Sequence, residues 1–111
     1  MLFSSELIKG TLKTIILKLL SENKRMYGYE ITQRVRELSG SEIELTFGAL
    51  YPTLHKLEAE GQLTTKTVVV DGRARKYYSL TKEGRKAMEV MNQYLGELNR
   101  SVERLRKKGA T

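Results

Sequence analysis

Cysteine and tryptophan are absent from this 111-residue sequence, and proline and histidine occur once each, as Pro52 and His55. Without cysteine there is no disulfide scaffold, thiolate zinc site or cysteine nucleophile, and the redox compartment stays open. Aspartate also occurs only once, as Asp71. One His and one Asp are too few for a histidine-pair zinc motif, a Ser-His-Asp triad or an aspartate cluster. The nine glycines stand singly, and neither G-x-G-x-x-G nor G-x-x-x-x-G-K-[ST] occurs, which removes the phosphate-cradling loops. Long apolar runs are missing too: Lys13 and Lys18 bracket Ile15, Ile16 and Leu17, whereas a membrane-spanning helix needs about 20 apolar residues and a signal peptide a clean apolar stretch. These absences exclude a convergent catalytic set, so no enzyme and no cofactor is expected, and the chain reads as a cytosolic protein.

What is present is positive charge and periodicity. Lys and Arg number 20 against 13 acidic residues, a net charge of +7 that favours an acidic partner such as a phosphate backbone or an anionic membrane face. At 111 residues the chain makes one small domain. A domain of that size buries only about two-thirds of the surface its unfolded chain exposes, so self-association would add useful burial.

From Ser5 to Ser21 the apolar positions Leu7, Ile8, Leu12, Ile15, Ile16, Leu19 and Leu20 recur every three or four residues, one stripe on a helix. After a turn at Asn23, Lys24 and Arg25, a second helix is expected from about Gly28 to Leu38, with Ile31, Val35 and Leu38 on one face and Ser39-Gly40 as its stop. Ile43 to Leu45 reads as a short extended piece. Thr46 then caps a third helix carrying Leu50, Leu54 and Leu57 and ending at Gly61. Pro52, at its sixth position, cannot donate toward Gly48, which predicts a bent first turn or a late start. Leu63 to Val70 is rich in Thr and Val, Asp71-Gly72 signals a hairpin, and Lys76 to Leu80 forms the return strand, so a two-stranded ribbon with its tip at residues 71 to 75 is expected. Thr81 caps a long final helix on which Met88, Met91, Leu95, Leu98, Val102 and Leu105 form a heptad seam, while residues 107 to 111 look frayed.

The fold class is therefore mainly α with a small two-stranded β-wing: a winged helix-turn-helix unit at 1–80 and a C-terminal dimerisation helix at 81–111. Charge agrees with this placement. Between Thr64 and Lys86, seven basic residues (Lys66, Arg73, Arg75, Lys76, Lys82, Arg85, Lys86) face two acidic ones (Asp71, Glu83), a balance of +5 around the wing.

Four ordered motifs sharpen the reading. The segments Tyr27-Gly28-Tyr29-Glu30-Ile31, Gly48-Ala49-Leu50-Tyr51-Pro52-Thr53-Leu54-His55-Lys56-Leu57-Glu58, Glu60-Gly61-Gln62-Leu63 and Arg75-Lys76-Tyr77-Tyr78-Ser79-Leu80-Thr81-Lys82-Glu83-Gly84, with Gly10-Thr11-Leu12 ahead of them, resemble the PadR family of bacterial transcriptional regulators. The resemblance covers about residues 7 to 86. It implies a homodimeric winged-helix repressor whose C-terminal helix packs across the dimer, often with a small-molecule effector site near that interface. It also implies that Tyr27 offers its hydroxyl to a phosphate, where the residues alone allow simple packing equally. The family more often carries Pro where Phe47 stands and a hydroxyl residue where Ala49 stands.

Read as a DNA-binding surface, the N-terminus of the third helix, formed by Thr46 and the amides of Phe47, Gly48 and Ala49, suits a phosphate, and Tyr51 would project toward the major groove. Lys56 would meet a phosphate, and His55 either a base edge or the protein itself. Lys66, Arg73, Arg75 and Lys76 would make salt-dependent contacts from the wing. The expected partners are double-stranded DNA and a second copy through Met88, Met91, Leu95, Leu98, Val102 and Leu105; the alternative cover for that seam is the first helix of the same chain. Two competing readings are a winged-helix module that docks a protein without specific DNA readout, and an anionic-membrane binder. The second is disfavoured because Arg104, Arg106, Lys107 and Lys108 cluster at one helix end rather than along a face.

Overall fold

The computed structural model describes residues 5–109, with side chains for 11–107. Its elements in order are α1 (Ser5–Glu22), β1 (Met26–Tyr27), α2 (Gly28–Leu38), α3 (Phe47–Ala59), β2 (Leu63–Val70), β3 (Arg73–Leu80) and α4 (Lys82–Gly109). Among the described residues no helix is long and apolar enough to cross a membrane. The Leu7 and Ile8 side chains lie outside the described residues; the remainder of the α1 stripe is in place, with Leu12, Ile16, Leu19 and Leu20 buried.

Capping sets the helix boundaries. The Thr46 hydroxyl accepts from the Ala49 amide at 3.2 Å and opens α3. At the other end Gly61 takes φ 78°, Gln62 donates to the Leu57 carbonyl at 2.9 Å and Gly61 to that of Glu58 at 3.0 Å, a left-handed stop that only glycine adopts without strain. The same arrangement ends α2 at Gly40. Pro52 neither delays nor divides α3. The helix begins at Phe47 and runs through it, because Leu50 already donates to the Thr46 carbonyl at 3.0 Å and the proline removes a single donor on an exposed face. Leu38, expected on the buried face of α2, is 62% exposed. The chain reverses just after it, and Ile43 and Leu45 return to pack on the core in its place.

The wing has three strands rather than two, in the order β1-β3-β2. Two residues ahead of α2 add an edge strand, Met26 opposite Tyr78 and Tyr27 opposite Tyr77. The hairpin tip is also tighter than expected: Val70 pairs with Arg73, leaving only Asp71 (φ 50°) and Gly72 (φ 75°) in the turn, the two positive φ values that a two-residue hairpin requires.

Leu12, Ile16 and Leu17 of α1, Ile31 and Val35 of α2, Leu50, Leu54 and Leu57 of α3, and Leu63, Tyr78 and Leu80 of the sheet form one core. Burial pushes the Tyr78 phenol above its ordinary pKa, opposed by the nearby Lys76, whose ammonium lies 5.5 Å from the ring centroid. The base of the wing is tied to α4 through Thr81. Its hydroxyl donates to the Gly61 carbonyl at 2.6 Å and accepts from the Gly84 amide at 3.0 Å, and its amide donates to the Gln62 carbonyl at 3.1 Å. α4 packs on α1 and β3 through its first turns. Beyond Met91 it departs from the core and makes the molecule elongated, 63 × 32 × 20 Å. α4 continues as helix to Gly109, through Lys107 where the sequence pattern suggests a frayed end.

Candidate nucleic-acid interface

Two surfaces meet the requirements of a DNA-reading site. The first is the outer side of α3. With Leu50, Leu54 and Leu57 turned inward, the exposed residues are Thr46, Phe47, Gly48, Tyr51, Pro52, His55 and Lys56. Phe47, Tyr51 and His55, each four residues from the next, stack into a column: 5.7 Å and a 38° tilt between the first two rings, 6.1 Å and 34° between the second two. Tyr51 therefore does not stand free. Its hydroxyl end lies so close to Gly28 that a Cβ there would overlap it and would come within 2.9 Å of Tyr51 Cζ, so the ring leans toward the start of α2 and exposes one edge.

The second surface is the outer face of the sheet. Strand alternation puts Tyr27, Lys66, Arg73, Arg75 and Tyr77 on the same side. The Arg75 guanidinium lies 4.2 Å from the Tyr27 ring centroid, Arg25 lies 4.2 Å from that of Tyr77, and the two rings meet edge to face at 5.5 Å. Each arginine keeps its charge in solvent while an aromatic face fixes its direction. Polar contact with the Tyr77 side chain, with smaller help from Tyr27 and Glu30, raises the Arg75 pKa further above its ordinary value, so it is cationic at every relevant pH. Glu30 also orders this corner by accepting the Tyr27 amide at 3.2 Å, which closes the first turn of α2.

An exposed helix end beside a basic three-stranded wing, mounted on a three-helix core, is the arrangement that the comparisons with known proteins bear on. The profile described as "Transcriptional regulator PadR-like family" matches residues 16–90. The chain belongs to the PadR-like family of transcriptional regulators. It is 40% identical over 97 residues, 87% of either chain, to "Transcriptional regulator Rv3488" of Mycobacterium tuberculosis. Among solved structures it is similar to a transcriptional regulator from Clostridium thermocellum (TM-score 0.80, 28% identity, 93% of this chain and 97% of that one). It also resembles a PadR-like transcription factor from Bacteroides fragilis (TM-score 0.78, 30% identity, 91% and 95%). The protein is thus a regulator and not an enzyme, and its fold is the winged helix-turn-helix of the family.

In this PadR-like chain the residues singled out from sequence separate into groups. Tyr27, Lys66, Arg73 and Arg75 come together on the wing, and Thr46, Gly48, Tyr51 and His55 along one side of α3. Lys76 is set apart on the opposite strand face, 3.7 Å from Glu58 of α3, whose other oxygen accepts from Thr65 at 3.0 Å; its first partner is protein. Lys56, five residues beyond Tyr51, sits about 140° further round the helix, near Lys13, Thr53 and Glu60 at the edge facing α1. The Ala49 amide is taken by the Thr46 cap and its side chain packs against the core, so the helix end offers the amides of Phe47 and Gly48 only. Arg25 and Tyr77 escaped the sequence reading as a pair. No local signal marks them, because their meeting depends on the β1–β3 register, and β1 is a strand only through that pairing.

Proposed function

We propose that the chain is a homodimeric, cytoplasmic, sequence-specific repressor that places two α3 helices in successive major grooves of an inverted-repeat operator and lays its wings along the flanking backbones. One observation carries this reading: the aromatic column of α3 and the Arg25–Tyr77–Tyr27–Arg75 stack are both presented to solvent beside one basic wing. Residues 1–80 serve as the DNA-binding unit and 81–111 as the dimerisation arm. The α4 seam supports the second copy, since Met88 is buried on its own domain while Leu95, Leu98, Val102 and Leu105 are 42–70% exposed. A cleft lined by Ser21, Leu80, Arg85, Met88, Glu89 and Asn92, where α4 leaves α1, is the place to look for a small-molecule effector.

The test is selection of bound duplexes from a randomised library at fixed, near-physiological salt. The expected pool is an inverted repeat with half-site centres about one helical turn, roughly 34–36 Å, apart. With about six phosphates contacted, log affinity should fall by about five per decade of salt. Retention without enrichment would refute specific readout.

Arg25→Ala and Arg75→Ala are each expected to weaken binding evenly on all sequences. Each should lower the salt slope by about one for every phosphate contact removed, hence about two per dimer, whereas Tyr51→Ala should change sequence preference. Titrations at three salt concentrations measure this, and equal losses for all three variants would sink the division of roles.

Gly48→Ala separates stability from binding. The nearest atom to an added Cβ is Thr46 Oγ1 at 3.9 Å, so the fold accommodates it and helix propensity gains up to about 1 kcal/mol. On DNA the methyl holds the helix end off the phosphate, and losing a hydrogen bond to a charged group costs about 1.5 kcal/mol or more, roughly ten-fold in affinity. An unchanged or raised Tm with unchanged DNA affinity would exclude close approach of the backbone there.

A further inference from the structure

Neither the fold nor helix formation accounts for Phe47. It occupies the first helical position, where proline is favoured by its fixed φ. The cap is made by Thr46 without help from residue 47. The core beneath is filled by Leu50, Leu54 and Leu57, all at most 1% exposed, while Phe47 is 49% exposed. Nor does the ring swing freely, because it leans on Tyr51 at 5.7 Å, which is in turn wedged against Gly28 and followed by His55. An apolar group is thus held in one orientation at the end of the recognition helix that approaches base edges most closely.

Resting on the DNA-reading function above, we propose that Phe47 is a specificity-determining residue that packs on the 5-methyl group of a thymine in each half-site. The chemistry of the major groove leaves little choice. Guanine presents N7 and O6, cytosine N4, and adenine N7 and N6, all polar; thymine alone adds a methyl. A phenyl ring laid over a polar edge strips water from it and returns no hydrogen bond, a net cost. Laid over the methyl, it removes apolar surface of both partners from water. Because the ring is already ordered, little rotamer freedom is lost on contact. Burial of one methyl corresponds to about a four-fold change in affinity per half-site, or roughly fifteen-fold for a symmetric pair.

The experiment replaces each thymine of the selected operator, one position per half-site at a time, with deoxyuridine, which lacks only that methyl. Affinities are measured for the full chain, Phe47→Ala and Phe47→Leu. One position is expected to weaken the unaltered protein about four-fold per half-site, to leave Phe47→Ala indifferent, and to affect Phe47→Leu to an intermediate degree. 5-Methylcytosine at that position should bind better than cytosine by a similar factor. Thermal melts of both variants verify folding, as expected for a half-exposed side chain. An operator with no thymine under α3 overturns the proposal, as does deoxyuridine indifference of the unaltered protein, or a loss that persists in Phe47→Ala. A library that yields no enriched sequence removes the DNA-reading function itself, and the methyl contact with it.

Discussion

Leu98→Asp is expected to turn the regulator into a folded monomer and to lower its affinity for an inverted repeat by at least about a hundred-fold. Leu98 is 47% exposed in the single chain, flanked on the same stripe by Leu95, Val102 and Leu105, so a carboxylate there disturbs no packing within the protomer. In the dimer it would be buried against apolar neighbours, where an unpaired charge is too costly to keep. The second half-site is bound in a dimer as an intramolecular event, with an avidity gain of about 10² to 10⁴ that a monomer forfeits entirely. Sedimentation at micromolar concentration reads the mass, melting reads the fold, and titration with whole and half operators reads the loss. Half-site affinity should be nearly unchanged. A variant that stays dimeric, or an unaltered chain that sediments as a monomer, contradicts the assigned interface.

Gly84→Ala is expected to have the largest effect on stability, about 3 kcal/mol and a Tm lower by roughly 15 °C at fixed protein concentration. Gly84 lies in the first turn of α4, and a Cβ there would collide with the Gln62 carbonyl oxygen and come within 3.0 Å of Leu80 Cδ2. The obstacle is backbone, so a rotamer change offers no escape. That carbonyl also accepts the Thr81 amide, which means relief by moving it breaks the tie between the end of α3 and the start of α4. A melt of Gly84→Ala within about 1 °C of the unaltered protein would show that α4 does not press on this loop. Because the junction joins α4 to α3 and the wing, partial loosening should also reduce DNA affinity at temperatures where the variant is still folded.

How much of this was legible in the residues depends on the range of the interactions involved. Thr46, Gly40 and Gly61 work within four or five residues of themselves, and the boundaries they set appear where the sequence places them; the Asp71-Gly72 turn is also in place, but the return strand begins directly after it at Arg73 rather than at Lys76. β1 was not legible, since two residues, Met26 and Tyr27, become a strand only because β3 passes beside them. Leu38 fits the α2 stripe by spacing, yet the chain reversal after Gly40 brings Ile43 and Leu45 over the core instead. Lys76 joined the wing's basic cluster by composition. Strand alternation nevertheless turns it to the inner face, toward Glu58, while Arg73 and Arg75 go outward.

By itself the sequence determined the order of the four helices and the hairpin, the helix caps and the hairpin turn, the concentration of positive charge near the wing and the family, because each of these is carried by neighbours along the chain or by composition. Only the tertiary structure decided which charges share a face, which tyrosines stack under which arginines, that Tyr51 rests on Gly28, and where the α4 seam passes from its own domain into solvent. Those outcomes depend on pairing register and on contacts between residues tens of positions apart, where the same local pattern is compatible with either face of a strand and either cover for a helix.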